Sequence, residues 1–553
     1  MKLGVKLLAV LLFTALLCCS CAPGVPELPS GTPNGSVLPE NSLPPEGSAT
    51  PAPEEQEGSG LLTVYDGSHY ALFTDQGEQL SDFDYNYINL MEGYVLYSRL
   101  TTEADGLPEE VTSLYAIGST EGELLTGFLY SGRLNLVAGG EAEGAPVLES
   151  LLRAGTGDGS PRSEDTVLLD AHTGAELLTL PSDEFSYFCY QRDRGLVCSM
   201  SYSTQSLSVW RVSDLIAGSQ EPLARLEGVT GMDYNSEANI VTVSSLPDEN
   251  SETRQQVLLS DGTLSENSFA SISSFYDLPG YAVAQAEPGG ECGLIDQNGE
   301  WLIPPQYDAL TPSENGLCVV LANGVYSYVD KSGNTVLPGP YLQAETFRDG
   351  FASVTAMDGA VQLIDESGRV VVNEEVFGYY GFTTGAAVEV SLGDYVFNEE
   401  ARPAILTQDG KLYELPAEFY NPYVICTLPD RCFFTYTADT EHYESAVGVL
   451  DFATGEASAW QEGYRYLSVL YDTNFEPLKS GYLRASRSLK NGYTVYDLLS
   501  ADGSQVLVSN LNEIYNATPN AMAVKKGFSC GVMDYEGNWL YKTTVFNSFP
   551  IAD

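Results

Sequence analysis

A short pattern that returns about every 35 residues constrains this chain more than any other feature. In residues 291–375, an apolar run ends in Asp, a small polar turn reaches Gly, and a second apolar run follows. The three copies place their turn glycines at Gly299, Gly333 and Gly368. Because Asp can hydrogen-bond the backbone two residues on and Gly accepts positive φ without steric cost, each copy predicts a β-hairpin.

One such unit is too small to bury its own apolar face, so the units must stack on one another. Glycines that follow a polar turn recur at a spacing typical of propeller blades: Gly77, Gly122, Gly174, Gly218, Gly262, Gly299, Gly333, Gly368, Gly410, Gly455, Gly503 and Gly537. With 35 Tyr, 53 Gly and little helical periodicity, the chain is predicted to be all-β, with tandem short β-meanders in a β-propeller-like array. The spacing fits one large ring, two smaller rings (seven C-terminal units and a partial N-terminal ring) or an open, curved array.

The repeated unit resembles the WG-repeat (KWG-type) family of bacterial proteins. That family's pattern runs Trp-Gly-Tyr-Ile-Asp, a turn, an apolar strand, Pro-x-Tyr-Asp and Phe-x-x-Gly-x-Ala-x-Val, and residues 292–296, 303–308 and 347–354 are similar to it. The Trp of the family pattern is replaced in these copies, and its position is held by Cys292, Tyr326, Val361 and Cys530. The resemblance is clear over residues 281–375 and 521–545. It implies an interaction scaffold and no reaction.

The N-terminus predicts a bacterial lipoprotein. The apolar run of residues 7–17 follows a basic start; it is shorter than the about 20 residues that span a bilayer, but it suits a signal peptide. The next residues resemble a lipobox, with Ser20 before Cys21, so we expect lipidation at Cys21, with Cys19 as the alternative. An ordinary cleaved signal with incidental cysteines is the other interpretation.

We therefore predict four segments: a signal peptide (1–21), a disordered tether (22–60), a degenerate β-repeat region (61–280) and a WG-repeat-like propeller region (281–553). The tether contains nine Pro and six Glu but no Lys, Arg or aromatic residue, so it cannot form a core. Its position would hold the folded part away from a lipid anchor.

The net charge of −51 excludes one class of partner. With 76 acidic and 25 basic residues, the chain lacks the clustered Lys and Arg that nucleic-acid binding requires. The acidic surface is explained by solubility, and calcium capture is the alternative. Because no stretch has the full spacing of a calcium loop or a zinc site, we predict no metal and no other cofactor.

Two cysteine pairs flank short turns and are candidates for disulfides, which an exported chain permits: Cys189 with Cys198, and Cys426 with Cys432. Cysteines on adjacent strands often have the wrong geometry for a bridge, so both states stay open.

Aromatic residues are the candidate ligand contacts. Trp301 and Trp539 hold equivalent positions just after their turns, and Tyr307 and Tyr341 recur in the repeat. Such rings either bind a sugar or peptide or pack the blades. The chain has three His and no nucleophile elbow, phosphate-cradling loop or His-Glu-x-x-His motif, so we predict that it is not an enzyme.

These features predict a membrane-anchored, extracytoplasmic bacterial lipoprotein. It would act as a non-catalytic scaffold for an envelope or extracellular protein, a peptide or a glycan. A glycan-active hydrolase, which needs two carboxyl groups facing each other in a cleft, is one alternative. A structural protein of cell-envelope assembly is the other.

Overall fold

The structure is a computed structural model. It describes residues 60–107, 111–134, 136–140, 144–154, 165–181, 187–236, 238–246, 252–274, 279–377, 379, 381–382, 386–393, 402–439, 441, 444–461, 463–472, 477–478 and 481–545. The predicted signal peptide, Cys21, Cys19 and all of the predicted tether except residue 60 lie outside the described residues.

The regular secondary structure of the described residues is almost entirely β-strand, as predicted. The strands in the first half are β1 (Leu61–Tyr65), β2 (Tyr70–Thr74), β3 (Tyr87–Leu90), β4 (Val95–Leu100), β5 (Ser113–Gly118), β6 (Tyr130–Arg133), β7 (Val137–Gly139), β8 (Leu148–Arg153), β9 (Thr166–Asp170), β10 (Glu176–Leu180), β11 (Tyr187–Gln191), β12 (Leu196–Ser201), β13 (Ser206–Arg211), β14 (Ala224–Glu227), β15 (Val229–Asn235), β16 (Ile240–Ser245), β17 (Arg254–Val257), β18 (Ser271–Ser274), β19 (Tyr281–Gln285), β20 (Cys292–Asp296) and β21 (Trp301–Tyr307).

The second half continues with β22 (Ala309–Pro312), β23 (Cys318–Ala322), β24 (Val325–Val329), β25 (Thr335–Ala344), β26 (Phe351–Ala356), β27 (Val361–Asp365), β28 (Val370–Val372), β29 (Val376–Phe377), β30 (Ala387–Leu392), β31 (Arg402–Thr407), β32 (Leu412–Glu414), β33 (Tyr420–Thr427), β34 (Arg431–Asp439), β35 (Glu444–Asp451), β36 (Ala457–Ala459), β37 (Tyr464–Val469), β38 (Leu483–Ser488), β39 (Thr494–Leu499), β40 (Val506–Leu511), β41 (Glu513–Ala517), β42 (Ala521–Lys526), β43 (Ser529–Asp534) and β44 (Trp539–Thr544). One short helix, α1 (Val212–Ile216), and a 3-10 turn (Glu103–Asp105) are the helical elements of the described chain.

The strands form antiparallel meanders that follow one another in chain order, with β7 and β11 as a parallel pair. By strand order and core packing, the described residues divide into twelve units. Unit 1 has β1–β2, unit 2 β3–β5, unit 3 β6 and β8–β10, unit 4 β7 and β11–β14, unit 5 β15–β17, unit 6 β18–β21, unit 7 β22 to the start of β25, unit 8 the rest of β25 to β28, unit 9 β29–β32, unit 10 β33–β36, unit 11 β37–β40 and unit 12 β41–β44.

The core lies between units and not within them. Twelve clusters of described buried residues each join two neighbouring units. Between units 6 and 7, for example, Leu294 packs with Leu310 and Cys318. One cluster joins the ends of the described chain, because Leu62 of unit 1 packs with Val532 of unit 12. The β-propeller-like array is therefore a single closed circuit of packed sheets, and neither the open array nor the two separate rings is observed.

The turn glycines that were counted in the sequence fall one to a unit. All twelve have positive φ, between 69° and 89°, which is the backbone conformation that favours glycine. In the three clear copies the Asp carboxylate also acts as predicted: Asp296 accepts the backbone N–H groups of Asn298 and Glu300 at 2.8 and 2.9 Å. Gly218 differs from the others because it follows α1.

Hydrogen bonds accompany the apolar contact that closes the circuit. The Asn516 side chain of unit 12 accepts the Thr63 N–H at 3.3 Å and donates to the Thr63 carbonyl at 3.2 Å and hydroxyl at 2.7 Å. Nearby, Asn520 donates to the Asp75 carboxylate at 2.8 Å. One amide side chain thus occupies both backbone groups of a residue 453 positions away.

The domain boundary predicted between residues 280 and 281 lies between β18 and β19, which are paired strands of one sheet. The described residues all fall within one compact unit. No helix among them is long and apolar enough to cross a membrane.

We expect Asn516→Ala to weaken closure of the circuit. The change leaves the N–H and carbonyl of Thr63 without their side-chain partner, at a cost of about 1–3 kcal/mol. The measurement is urea unfolding followed by circular dichroism. Asn334→Ala is the matched control, because that amide bonds only Asp330 within its own exposed turn, and we expect a change below about 0.5 kcal/mol. Equal midpoints for Asn516→Ala and the unaltered chain would show that this amide does not support closure.

Candidate functional site

The meander topology separates two kinds of turn. Successive turns of an antiparallel meander lie at opposite ends of its sheet. In a unit, the turn between the second and third strands therefore lies at the same end of the sheet as the connection to the next unit. We call this end of the array the linker face. The turns that contain the twelve glycines lie at the other end, which we call the Asp-turn face.

On the Asp-turn face, the acidic side chains satisfy their own turns. Asp365 accepts the Ser367 hydroxyl at 2.6 Å and the Arg369 guanidinium at 2.8 Å. The Ser367 hydroxyl bond, with the bonds from Arg369, holds the pKa of Asp365 at about 2. These carboxylates are committed to turn geometry, and no group of three or more His, Cys, Asp or Glu among the described residues is arranged to hold a metal ion.

The linker face carries most of the exposed aromatic side chains. Eight aromatic residues of the described chain are exposed, with 41–57% of their surface accessible. Seven lie in turns between second and third strands or in the first half of a unit's first strand: Tyr87, Tyr202, Tyr420, Tyr423, Tyr466, Tyr493 and Phe528. Tyr471, which follows β37, is the exception. Exposed aromatic rings that gather on one face are typical of a binding surface.

Four tyrosine rings touch in a row across units 12, 1 and 2, and we call them the tyrosine strip. Tyr87 is exposed, whereas Tyr65, Tyr70 and Tyr515 are half-buried, and Tyr70 and Tyr515 also pack against inter-unit clusters. Tyr515 lies 6.5 Å from Tyr65, Tyr65 lies 4.7 Å from Tyr70, and Tyr70 lies 6.2 Å from Tyr87, measured between ring centroids. Burial raises the pKa of Tyr515, and the neighbouring Glu513 carboxylate raises it further. Tyr65 and Tyr70 are opposite each other in the β1–β2 ladder, so the hairpin itself fixes the central pair.

A second group of exposed tyrosines lies on units 10 and 11. Tyr423 and Tyr466 belong to the first strands β33 and β37, and both strands contain β-bulges at this point. The Glu389 carboxylate accepts the Val424 N–H at 2.8 Å, which places it beside Tyr423. Burial raises the pKa of Glu389, an effect that the hydrogen bond from Val424 opposes. This group combines exposed rings with a half-buried carboxylate.

The four aromatics predicted from the repeat occupy different surroundings. Trp301 packs edge-on against Phe269 at 5.2 Å in the cluster between units 5 and 6, and Trp539 lies against the cluster between units 11 and 12. Tyr307 and Tyr341 are likewise half-buried against inter-unit clusters. The structure therefore gives these residues a packing role and does not bring them together.

The predicted cysteine pairs are free thiols in the structure. Cys189 and Cys198 are directly opposite in the β11–β12 ladder and are fully buried. In the second pair, Cys426 faces Phe433 and Cys432 faces Thr427, because a bulge after Val424 shifts the register. Neither candidate bridge is formed in the structure, and for Cys426 and Cys432 the register explains why.

A cavity of about 480 Å³ lies within units 7 and 8. Val319, Leu321 and Phe351 supply apolar walls, and Glu345 and Arg348 supply charged groups. The Tyr379 hydroxyl donates to the Arg348 carbonyl at 2.5 Å and so closes one side of the cavity.

The three buried carboxylates of the described chain are engaged in internal bonds. Asp75 bonds Asn520 at the closure of the circuit. Glu149 accepts the Tyr94 hydroxyl and the Arg133 guanidinium, and Asp497 accepts the Tyr464 hydroxyl at 2.8 Å and the Arg487 guanidinium at 2.9 Å. They lie on units 1, 3 and 11 and form no facing pair. Four further glutamates that are adjacent in pairs along the sequence, and one of the three histidines, lie outside the described residues: Glu109, Glu110, Glu399, Glu400 and His442.

Two family models match the chain. One, described as a WG containing repeat, matches residues 293–326 and 326–359. The chain contains WG repeats. The first matched WG repeat runs from the third strand of unit 6 to the third strand of unit 7, and the second runs from there to the turn before the third strand of unit 8. The sequence repeat therefore contains the contact between units. A domain of unknown function (DUF5046) matches residues 370–553, which cover units 9 to 12 and the end of unit 8.

No curated protein matches the chain. Among solved structures, it is similar to the crystal structure of a eukaryotic initiation factor, with 12% identity over 84% of this chain and 98% of that one, at a TM-score of 0.33. It is also similar to BamB from Moraxella catarrhalis, with 12% identity, coverage of 59% and 92%, and a TM-score of 0.23. Dihydro-heme d1 dehydrogenase NirN in complex with DHE gives 12% identity, coverage of 68% and 75%, and a TM-score of 0.22. Scores this low support no conclusion about this chain.

We expect the thiols of the described residues to differ sharply in reactivity. Cys292 is partly exposed, whereas the other six are buried. Burial raises the pKa of Cys426 and of Cys432 to about 12, so both stay neutral and unreactive at neutral pH. Maleimide labelling of the native chain, mapped by peptide mass spectrometry, should modify Cys292 first, and Cys292→Ser should remove that signal. After denaturation without reductant, Cys189 and Cys198 should also be labelled, and protection of both would show that they are bridged.

Proposed function

We propose that this chain is a non-catalytic binding scaffold that holds a protein, peptide or glycan of the cell envelope or the extracellular space on its linker face. The observation that carries the proposal is the position of the exposed aromatics: seven of the eight lie on that face. Aromatic side chains supply much of the binding energy at interfaces because they bury a large apolar area with few rotatable bonds. The Asp-turn face offers carboxylates that already bond their own turns.

The N-terminal sequence supports a location for this scaffold. We propose that Cys21 carries a lipid that anchors the chain at the extracytoplasmic side of a bacterial cell membrane. The segment from residue 22 to residue 60, with nine Pro and six Glu, would then separate the units from the lipid surface. The net charge of −51 supports the same arrangement, because an anionic membrane surface would repel the array.

A hydrolytic function gains no comparable support. The buried carboxylates Asp75, Glu149 and Asp497 are bonded to neighbouring side chains and lie on separate units. A role in envelope assembly is compatible with a binding scaffold and differs from it only in the identity of the partner.

Binding should depend on the linker face. The ligand is first identified by capture from the envelope of the producing cell, with the full chain as bait, and by a glycan array. We expect the double variant Tyr87→Ala and Tyr423→Ala to bind that ligand at least about tenfold more weakly, because two exposed rings are removed. Leu302→Ala, which truncates an exposed apolar side chain in the fourth strand of unit 6, is the control and should bind normally. Unchanged affinity in the double variant would place the ligand elsewhere and contradict the proposal.

Membrane anchoring should depend on one cysteine. We expect Cys21→Ala to abolish incorporation of a labelled fatty acid in a bacterial host and to move the chain to the soluble fraction. Cys19→Ala is the matched control and should leave labelling intact. The reverse result would assign the lipid to Cys19, and labelling of neither would refute the lipid anchor.

A further inference from the structure

We propose that the tyrosine strip binds a proline-rich, basic peptide in the polyproline II conformation. This inference rests on the proposed function and deepens it, because it names the class of ligand for one part of the linker face. The site consists of Tyr515, Tyr65, Tyr70 and Tyr87, with Glu513 and Asp66 beside them.

The shape of the strip favours a ridged ligand over a flat one. Tyr65 and Tyr70 are inclined by 34° to each other, whereas Tyr515 stands at 79° to Tyr65 and Tyr87 at 75° to Tyr70. The two outer rings therefore stand edge-on to the central pair, and the surface alternates between ridges and slots. A sugar stacks on an open ring face, but a pyrrolidine ring fits between aromatic ridges, as in other grooves that recognise polyproline helices. Such a helix rises about 3.1 Å per residue, so the strip suits about five residues.

The polar groups of the strip match the needs of the same ligand. A polyproline helix has no internal hydrogen bonds, so its carbonyl groups accept donors from a partner. None of the described residues hydrogen-bonds the hydroxyl groups of Tyr65, Tyr70 or Tyr87, and these hydroxyls can donate. Strand addition is less suitable, because β1 is an edge strand but the Asn516 amide already occupies both backbone groups of Thr63 at its centre.

Charge selects a basic peptide. Burial alone would raise the pKa of Asp66, but hydrogen bonds from the backbone of His69 and Ser68 lower it below its usual value, so this carboxylate stays ionised. Glu513 is exposed next to Tyr70 and Tyr515, and Asp84 is exposed three residues before Tyr87 in the sequence. Lys525 lies opposite Glu513 in the β41–β42 ladder. The surroundings remain acidic on balance, as does the whole chain at −51. Arg or Lys near the prolines would therefore be attracted.

The chain's own proline-rich segment provides a natural contrast. Residues 22–60 contain nine Pro but six Glu and no Lys or Arg. By the same charge argument, this segment is disfavoured at the strip. The proposed ligand is thus a separate basic peptide and not the N-terminal segment of this chain.

The test is fluorescence anisotropy with the full chain and three labelled synthetic peptides. The first is proline-rich with arginine at both ends, the second has glutamate in place of arginine, and the third has alanine in place of every proline. We expect the first to bind, and the other two to bind at least about tenfold more weakly. Tyr87→Ala should weaken binding of the first peptide at least about tenfold, since the ring is a contact of the site.

Tyr471→Ala is the matched control, because Tyr471 is also an exposed tyrosine, at 41% against 51% for Tyr87, but it is the exposed aromatic that does not lie on the linker face. It should leave the affinity unchanged, and circular dichroism with urea unfolding should confirm that both variants are folded. Equal affinity for the first and third peptides, or an equal loss in Tyr471→Ala, would overturn the inference. So would binding of the glutamate peptide as tightly as the arginine peptide.

Failure of the inference and failure of the proposed function give different results. If the arginine peptide does not bind, but the envelope ligand or a glycan still binds and is lost in the Tyr87→Ala and Tyr423→Ala double variant, only the peptide assignment falls. A neutral oligosaccharide that binds and is lost in Tyr87→Ala alone would reassign the strip to sugars. If neither the peptide nor any identified ligand is sensitive to these tyrosines, both proposals fall.

Discussion

Closure of the circuit is the constraint on which the rest of the structure depends. Among the residues that the structure describes, no unit has a core of its own, because each of the twelve clusters lies between two units. In an open array the first and last units would each expose one apolar face, and Leu62 and Val532 would be among the residues left in water. The contact between units 12 and 1, with the Asn516 amide on the Thr63 backbone, removes both exposed faces at once. The hydrogen bonds fix the register, whereas the apolar contact supplies most of the stabilisation.

The two ends of the sheets differ in how strongly the repeat constrains their residues. The Asp-turn face is occupied by turns whose carboxylates, such as Asp296 and Asp365, bond their own backbone. Such turns tolerate little change, since the glycine needs positive φ and the Asp needs its position. The first strands of the units and the turns on the linker face are not constrained in this way. Residues there are free to differ between units, and this is where Tyr87, Tyr423 and Tyr466 lie.

The sequence predicted the fold much better than it predicted the site. The turn glycines and the alternation of apolar residues depend on local geometry, so the all-β meanders and one turn per unit could be predicted. Closure could not, because it depends on contacts between residues as far apart as Thr63 and Asn516. Trp301 and Tyr341 were chosen as ligand contacts because they recur, but recurrence in a stacked repeat marks packing between units. The exposed rings do not recur at a fixed position in the repeat. The high frequency of Tyr in the sequence is the one signal that indicated exposed aromatic side chains.

Bulges in three of the first strands explain why the alternation of side chains along a strand does not place the rings of β33, β37 and β41. A bulge inserts an extra residue and re-aims the side chains around it. The β33 ladder shifts between Tyr420 and Tyr423, the β37 ladder shifts between Tyr464 and Tyr466, and the β41 ladder shifts between Ile514 and Asn516, at Tyr515. Alternation in the sequence therefore cannot say which face each ring occupies.

The bulge in β41 also connects stability with binding. It places Tyr515 in the tyrosine strip and its neighbour Asn516 on the backbone of Thr63. The strip takes Tyr515 from unit 12, Tyr65 and Tyr70 from unit 1, and Tyr87 from unit 2, so it exists only when the circuit is closed. A ligand that bridges these rings would bind the closed state alone and would stabilise closure by the free energy of its own binding. The contact between units 12 and 1, which closes the circuit of described residues, is thus also the contact that a bound ligand would hold together.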